Sequence, residues 1–412
     1  MMKTLIIVDI NNPTQKFIDD KILDFSKRNN QINQDYYVLL YTDDPDNQLI
    51  TKLKQKLKVG FKVIDFGTQM EIQSEKLKNE INKFSYNIGD GFSTIVKKTF
   101  NSQQASLYSK LWWYTEISLK NSPVDPTWWA ILRFNISKHY LIKLKCDNCI
   151  YIGDNLQADL INQYCLKSNI LLLQNIINNK SYYWRIILVR LLSGICYLGA
   201  IIITKLRFFK FQKNIYKPNK EMGLVYSWYP TSWIDRDENY QDRYYGKYLE
   251  LLKNKFNYSP VYRVYTDNEY ISPINYWKRL TSLKKRLKIK NGERIVENFL
   301  HIRDIIKNYL HIREIINFHK IIKSNNFIEL FNYNGVNTFK IFLPRLMRSI
   351  FVWFPHLVSL EKATVRLTKV NNPKVVLLYC YEFSYGRAII NGSRTNSDIK
   401  IIGLQHGPIT QM

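Results

Sequence analysis

Short apolar runs of strand length alternate with segments of helical spacing, and this alternation is what most restricts the fold of the chain. From the N-terminus the order is KTLIIVDI, a helical segment from Thr14 to Arg28, YYVLLYTDD, a second helical segment from Asn47 to Leu57, and FKVIDFG. Continuous apolar runs are typical of strands that are buried on both faces. Strand–helix–strand alternation therefore predicts an α/β fold with a parallel sheet and right-handed crossovers.

The alternation pauses and then begins again, which indicates two domains. NCIYIGDN, a helix through Cys165 and NILLLQ continue the first series, and MGLVYSWYP, a helix from Asn239 to Phe256 and SPVYRVYT form the second. A chain of 412 residues is long enough for two domains. We predict α/β domains at 1–175 and 221–412, joined by a linker at 176–220. Neither G-x-G-x-x-G nor G-K-[ST] follows the first strand, so the first half carries no nucleotide-binding fingerprint.

Positive charge is concentrated around the linker. The net charge is +26, and between Leu160 and Lys220 there are ten basic residues and no acidic one. The uncharged stretch 191–204 is shorter than the ~20 residues that span a bilayer. We predict an interfacial helix on an anionic membrane surface, peripheral to the inner face of the cytoplasmic membrane, with a buried core helix and a true span as alternatives. No nucleic-acid-reading motif is present, so no specific nucleic-acid partner is expected.

Two further clusters have a functional and a structural interpretation. The motif Cys146-x-x-Cys149 has only Cys165 and His139 near it in sequence, so an ordinary loop before a strand is favoured over a metal site, and no metal is expected. A second cluster is aromatic and would form either a sugar-stacking platform or part of the core. Its members are Trp112, Trp113, Trp128 and Trp129.

The C-terminal part predicts a binding crevice. NPKVVLLYCYE reads as a buried strand ending in Glu382, FSYGRAIINGSRTNS as a helix with Arg387 and Arg394 on nearly one face, and DIKIIGLQHGP as a strand and turn. In open α/β sheets, ligands bind beyond the carboxyl ends of the strands. We therefore expect Glu382 and the Gln405-His406-Gly407 turn to face one crevice.

Three segments together resemble bacterial surface-carbohydrate biosynthesis proteins, which are sugar transferases for O-antigen or capsule assembly of the GT-B type. They are LWWYTEISLKNSP, WYPTSWIDRDENYQDRYYGKYLELL and LLYCYEFSYGRAIINGSRTNSDIKIIGLQHGPI. The Gln-His-Gly turn is more loosely similar to capsule polysaccharide transferases and CDP-glycerol glycerophosphotransferases. The resemblance runs discontinuously from about Ser106 to the last residue and depends on the order and spacing of the motifs.

The resemblance implies two Rossmann-like domains facing a cleft, with the donor held by the second. In the family, the strand ending in Gln-His-Gly closes the first domain. The segment 221–412 is then the acceptor-side half, the C-terminal donor-binding domain is expected to be missing, and a downstream donor-binding half is an expected partner. The implied reaction transfers a sugar or related group from a nucleotide-activated donor to a membrane-associated, lipid-linked glycan acceptor. No cofactor besides the nucleotide-sugar substrate is expected.

Sugar transfer needs a base for the acceptor hydroxyl and positive groups for the leaving diphosphate. His406 and Glu382 are the catalytic candidates, although a turn histidine bonded to backbone carbonyls and a helix-capping carboxylate remain the structural alternatives. The candidates for substrate binding are Gln405, Gly407, Arg387, Arg394, Asp235 and Arg243, with Arg236 and Asp242 beside the last two. A non-catalytic membrane-associated partner or scaffold of a polysaccharide assembly complex is the alternative function.

Overall fold

Two five-stranded parallel sheets, each flanked by helices, form the frame of the computed structural model. In each sheet the first strand along the chain is central, the second and third lie to one side, and the fourth and fifth lie to the other. This 3-2-1-4-5 order is the order of a doubly wound sheet, with strands added on both sides of the first one, so the predicted Rossmann-like α/β fold is confirmed. The structure describes residues 2–8, 34–41, 61–64, 66–114, 126–153, 155–172, 180–208, 222–229, 233–236, 239–242, 244–245, 248–253, 257–264, 273–286, 294–309, 318–379, 384–396 and 398–404.

The first sheet is built from the apolar runs of the N-terminal third. Its strands are β1 Met2–Val8, β2 Gln34–Leu40, β3 Phe61–Ile64, β4 Asn148–Ile152 and β5 Leu171–Leu172. Their spatial order is β3-β2-β1-β4-β5. All five residues of β4 and the last five of β1 are buried, as a strand covered on both faces requires. The predicted helices at Thr14–Arg28 and Asn47–Leu57 lie outside the described residues.

The second sheet begins where the alternation restarts. Its strands are β6 Met222–Tyr229, β9 Asn257–Val264, β10 Arg294–Ile295, β13 Val375–Tyr379 and β14 Lys400–Leu404, in the order β10-β9-β6-β13-β14. Two small antiparallel ribbons pair β7 Trp233–Arg236 with β8 Asn239–Asp242 and β11 Asn332–Tyr333 with β12 Val336–Asn337.

Helices cover both sheets. They are α1 Phe66–Thr99, α2 Ser102–Ser109, α3 Leu111–Tyr114, α4 Pro126–Leu144, α5 Asn155–Lys167, α6 Lys180–Phe208, α7 Tyr248–Lys253, α8 Pro273–Arg286, α9 Ile302–Tyr309, α10 Asn325–Glu329, α11 Phe339–Arg348, α12 Phe354–Asn371 and α13 Ser384–Ser393. A π-helical turn, Ser349–Trp353, joins α11 to α12. Of the predicted linker 176–220, the described residues Lys180–Phe208 form helix α6.

One prediction of local structure is wrong. The sequence predicts a helix from Asn239 to Phe256, but its first four residues form β8, and among the described residues of this segment only Tyr248–Lys253 are helical. Strand β8 pairs antiparallel with β7, a contact that the local spacing of apolar residues does not reveal.

Segments from both sides of the linker share one hydrophobic core. Phe92 of α1 and Trp128 of α4 belong to the same buried cluster as Leu224 of β6 and Leu378 of β13. A second cluster, with Leu5 of β1, lies at the first sheet. The proposed boundaries at 175 and 221 stay predictions.

Within the described residues, no single helix is long and apolar enough to cross a bilayer. One pair, Phe339–Phe351 and Phe354–Asn371, has the required length and composition but is bent by 42°.

Candidate functional site

The strand order of the second sheet places a topological switch point between β6 and β13. These two strands are parallel neighbours, with Leu378 opposite Tyr226. Crossovers lead away from them in opposite directions, because β9 lies beyond β6 and β14 lies beyond β13. Loops that leave such a pair diverge and open a crevice at the carboxyl edge, which is where open α/β sheets bind ligands.

A buried carboxylate lies near the carboxyl end of β6. Asp242 is almost completely buried, and one of its oxygens accepts a hydrogen bond of 2.6 Å from the Ser227 hydroxyl on β6. Its other oxygen accepts from the backbone N–H groups of Tyr244 and Tyr245, at 2.8 and 3.1 Å. Buried polar groups need such partners, and hydrogen bonds to a charged acceptor are the strong ones. The carboxylate therefore ties the backbone at Tyr244 and Tyr245 to β6.

Aromatic rings line the same end of the sheet. Tyr379, the last residue of β13, has its ring centroid 4.3 Å from that of Tyr244 and 5.3 Å from that of Tyr245. The Tyr245 hydroxyl donates to the Tyr226 carbonyl at 2.8 Å. Tyr379 and Tyr245 are buried, whereas Tyr244 is partly exposed. Of these three rings, Tyr244 is thus the one that a ligand in the crevice can reach.

The phenol of Tyr226 serves the core rather than the crevice. Its hydroxyl donates to Thr364 of α12 at 3.5 Å, and burial raises the pKa of this phenol above its ordinary value. A phenol that stays protonated is a hydrogen-bond donor and not a general base at neutral pH.

The N-terminus of α13 adds a partial positive charge. This ten-residue helix follows β13 and begins at Ser384, which is 5% exposed. The Ser384 hydroxyl oxygen is buried and has no hydrogen-bond partner within the described residues. Free backbone N–H groups and the helix dipole favour an anion at such an end.

The two predicted arginines are not brought together. Arg387 lies in the first turns of α13, and its guanidinium donates to the Trp113 carbonyl at 2.6 Å, which connects α13 to α3. Arg394 follows the last residue of α13 and is exposed. At 1.5 Å per residue, seven residues separate them by about 10 Å along the axis, so only Arg387 is near the carboxyl edge of the sheet.

The other predicted site residues are placed as follows. Asp235 belongs to β7, in the ribbon that follows β6. Glu382, Gln405, His406, Gly407 and Arg243 lie outside the described residues. The strands that precede the first four are described, and their last residues, Tyr379 and Leu404, are directly opposite each other in parallel register. The predicted adjacency of these two strand ends is confirmed, and the roles of the residues after them stay predictions.

Sequence reasoning missed Ser227, Tyr244, Tyr379 and Ser384. Asp242 was identified only as a lesser acceptor-side candidate. A weak signal was present in the alternation of Ser227 with larger apolar residues on β6, since a small hydroxyl residue in a buried strand needs a partner. The identity of that partner depends on tertiary structure.

The cysteines and tryptophans take mainly structural positions. Cys146, Cys149 and Cys165 are buried free thiols, and a hydrogen bond with Cys165, together with burial, raises the pKa of Cys149. In the described part of the chain, no three His, Cys, Asp or Glu side chains are arranged to hold a metal ion. Trp112 and Trp128 are buried in the core, which confirms the structural interpretation for these two rings.

No protein family model, no curated protein and no solved structure matches this chain. The resemblance to surface-carbohydrate biosynthesis proteins therefore stays a prediction that depends on the quoted motifs. The structure establishes the Rossmann-like α/β architecture and the geometry of the switch point between β6 and β13.

Proposed function

We propose that this chain is a glycosyltransferase-like protein of surface polysaccharide biosynthesis. It transfers a sugar or a related group from a nucleotide-activated donor to a lipid-linked glycan acceptor at the inner face of the cytoplasmic membrane. The observation that carries the proposal is the β6–β13 switch point, where a partly exposed tyrosine ring, a buried carboxylate and a helix N-terminus lie at one edge of the sheet.

The ring of Tyr244 supports binding of a sugar or a base. Sugar faces and nucleobases pack against aromatic rings, and a ring held in one orientation loses little conformational freedom on binding. Tyr244 is held in this way, because its ring packs on Tyr379 and its backbone N–H is bonded to Asp242. We assign to Tyr244 the contact with the planar or apolar face of the substrate.

The N-terminal end of α13 supports binding of phosphate. A diphosphate carries the charge that a helix N-terminus favours, and the buried Ser384 hydroxyl is available as a donor there. Arg387, on the same helix, supplies a permanent positive charge near this end. Stabilising the leaving diphosphate in this way is the electrostatic part of transfer.

The proton-transfer roles of His406 and Glu382 are assigned from their positions in the chain, just after two strands of the second sheet. Glu382 follows β13 and His406 follows β14, and these strands are parallel neighbours. In the proposal, neutral His406 accepts the proton of the attacking acceptor hydroxyl and Glu382 orients it. General-base catalysis of this kind contributes roughly 10²–10⁴-fold to the rate.

The test combines binding and turnover. Nucleotide-sugars and CDP-glycerol are titrated into the protein by calorimetry, and transfer is followed with membranes that contain lipid-linked acceptors.

Tyr244→Ala should weaken donor or acceptor binding by about 3–10-fold, the value of one aromatic contact. The matched control is Tyr248→Ala, which changes an exposed tyrosine four residues later in the chain, at the start of α7. His406→Ala should lower turnover by roughly 10²–10⁴-fold with an unchanged melting curve. Unaltered transfer by both site variants would refute the proposal.

A non-catalytic role as a membrane-associated partner of an assembly complex is the second candidate. The exposed apolar residues Leu192 and Ile195 on α6 favour it, because they suit a surface that docks rather than one that reacts. Vesicle binding by a folded protein that neither binds activated sugars nor transfers them would select this role.

A further inference from the structure

Helix α6 is apolar on two opposite sides, and only one side is covered by the protein. Ile201, Thr204 and Phe208 are buried, and the Thr204 hydroxyl shares a hydrogen bond with Tyr276 of α8. Gly194 belongs to the same side, since a Cβ there would lie 2.7 Å from the Phe351 carbonyl oxygen. At 100° per residue these four positions lie within about 80° of one another.

The opposite side of α6 is an exposed apolar stripe. Five side chains, each between 37% and 64% exposed, lie within about 80° of one another and are centred on the side away from the core. They are Leu188, Leu192, Ile195, Ile203 and Leu206. The stripe is about 27 Å long, because 18 rises of 1.5 Å separate Leu188 from Leu206. A helix that is apolar on both sides normally has both sides covered.

Helix α8 extends this surface. Its buried residues Leu280 and Leu283 pack in a cluster with Phe208 of α6. Its first turns expose Ile274 and Trp277. The guanidinium carbon of Arg207 lies 4.4 Å from the centroid of a Trp277 ring, so the indole adjoins the C-terminal end of the stripe. We call the stripe together with Ile274 and Trp277 the apolar face.

The charges around the apolar face have one sign. Helices α6 and α8 together contain ten Lys or Arg residues and no Asp or Glu. Apolar side chains that insert between headgroups, Lys and Arg at the rim, and a Trp at the boundary are the features of a helix that lies in the surface of an anionic membrane. A symmetric dimer through this face would instead bring together two copies of helices that carry only positive charges, which opposes association.

We propose that the apolar face is a membrane-binding surface for anionic lipid, with α6 parallel to the bilayer plane. The stripe enters the boundary between headgroups and acyl chains, and Arg207, Lys278 and their neighbours contact lipid phosphates. This inference goes beyond the proposed transfer reaction, since lipid binding by this face needs no activated sugar.

The test is flotation of the protein with vesicles of phosphatidylcholine alone or with 30% phosphatidylglycerol (about one anionic lipid in three, enough for a negative surface potential). The double variant Leu192→Asp/Ile195→Asp should bind anionic vesicles at least about tenfold more weakly than the native protein. Ile142→Asp/Leu166→Asp is the matched control, because it also introduces two negative charges in place of two exposed aliphatic side chains, but on α4 and α5. Its binding should stay within about twofold of native.

Cys196 gives a second measurement on the native protein. It is an exposed thiol on α6, four residues after Leu192 and beside Ile195. Anionic vesicles should slow its labelling by maleimide, and neutral vesicles should not. This result does not depend on the folding of any variant.

Three outcomes would overturn the proposal. The first is equal binding of the native protein to neutral and anionic vesicles, and the second is equal binding of the two double variants to anionic vesicles. The third is a dimer in solution that Leu192→Asp/Ile195→Asp dissociates, together with vesicles that leave Cys196 unprotected from maleimide. The last outcome would assign the face to a second copy of the chain. Activated-sugar binding is measured separately, so failure of this inference and failure of the proposed function are distinguishable.

Discussion

The Ser227 hydroxyl on β6 lies 2.6 Å from a carboxylate oxygen of Asp242, fifteen residues later at the end of β8. Both residues are buried. The bond joins the central strand of the second sheet to the turn that carries Tyr244, which in turn packs on Tyr379 at the end of β13. The geometry of the switch point therefore depends on one buried carboxylate.

Asp242→Ala should lower the free energy of unfolding by about 2–3 kcal/mol. The substitution removes a charged acceptor from the buried donors of Ser227 and Tyr245 and from the partly buried N–H of Tyr244. Urea unfolding measures this difference. Asp159→Ala is the control, since Asp159 pairs with exposed Lys340 at 3.1 Å and such pairs contribute at most about 1 kcal/mol. Equal effects of the two substitutions would contradict the structural role of Asp242.

Acid should weaken the contact between α9 and α12 through Asp304. Burial alone would raise the pKa of Asp304, but a hydrogen bond and the charge of Arg366, with Lys362, hold the pKa below its ordinary value. A carboxyl whose pKa is lower in the folded state stabilises the fold above its unfolded pKa, near 4, and this stabilisation is lost as the pH falls through the folded pKa. Asp304→Asn should therefore melt at a lower temperature than the native protein at pH 7.

The difference between Asp304→Asn and the native protein should shrink when melts are repeated at successively lower pH below about 4. Arg366→Ala provides the control, because without this partner the substitution at Asp304 should have a smaller effect at every pH. A difference that is the same at pH 7 and pH 3 would exclude the ion pair as its cause.

The elements that the sequence predicts correctly are those specified by local pattern. Strands β1, β4 and β13 are unbroken apolar runs because both of their faces are buried, and the run is visible without knowledge of the neighbours. Helix α1 also has a local signal that no prediction used, since Phe84, Ile88, Phe92 and Val96 recur every fourth residue and are all buried.

The elements and site residues that the sequence does not predict depend on partners far away in the chain. Strand β8 exists because β7 pairs with it, and Asp242 is buried because Ser227 and two backbone N–H groups satisfy it. The spacing of residues around Asp242 does not indicate which strand supplies its hydrogen-bond partner. The edge of the sheet that holds the site was predictable from topology, whereas the side chains that meet there were not.

Thiol reactivity should separate the cysteines by burial. Burial, reinforced by the charge of Asp147, raises the pKa of Cys146 to about 11, so roughly 0.1% of this thiol is the reactive thiolate at pH 8. Cys196 is exposed. Iodoacetamide at pH 8, followed by mass spectrometry of the peptides, should modify Cys196 at least about tenfold faster than Cys146. Faster modification of Cys146 would contradict its buried position just before β4.

Two glycines on α6 provide a matched pair of substitution sites that tests how this helix packs against the rest of the protein. A Cβ at Gly194 would lie 2.7 Å from the Phe351 carbonyl oxygen, and a backbone atom cannot rotate away as a side chain can. A Cβ at Gly199, five residues later, would meet nothing within 4 Å. In both substitutions the higher helix propensity of alanine raises the free energy of unfolding by the same amount, about 1 kcal/mol, because alanine restricts the unfolded chain more than glycine does.

Gly199→Ala should therefore stabilise the protein by up to about 1 kcal/mol, and Gly194→Ala should destabilise it by about 1–2 kcal/mol, since the clash forces α6 away from the π-helical turn. Urea unfolding of both variants measures these changes in the free energy of unfolding relative to the native protein, which should have opposite signs. Because α6 carries the apolar face, vesicle binding of Gly199→Ala should be unchanged. Equal stabilisation by both substitutions would mean that α6 does not pack against Phe351 as closely as described, and the assignment of its inner and outer sides would then be wrong.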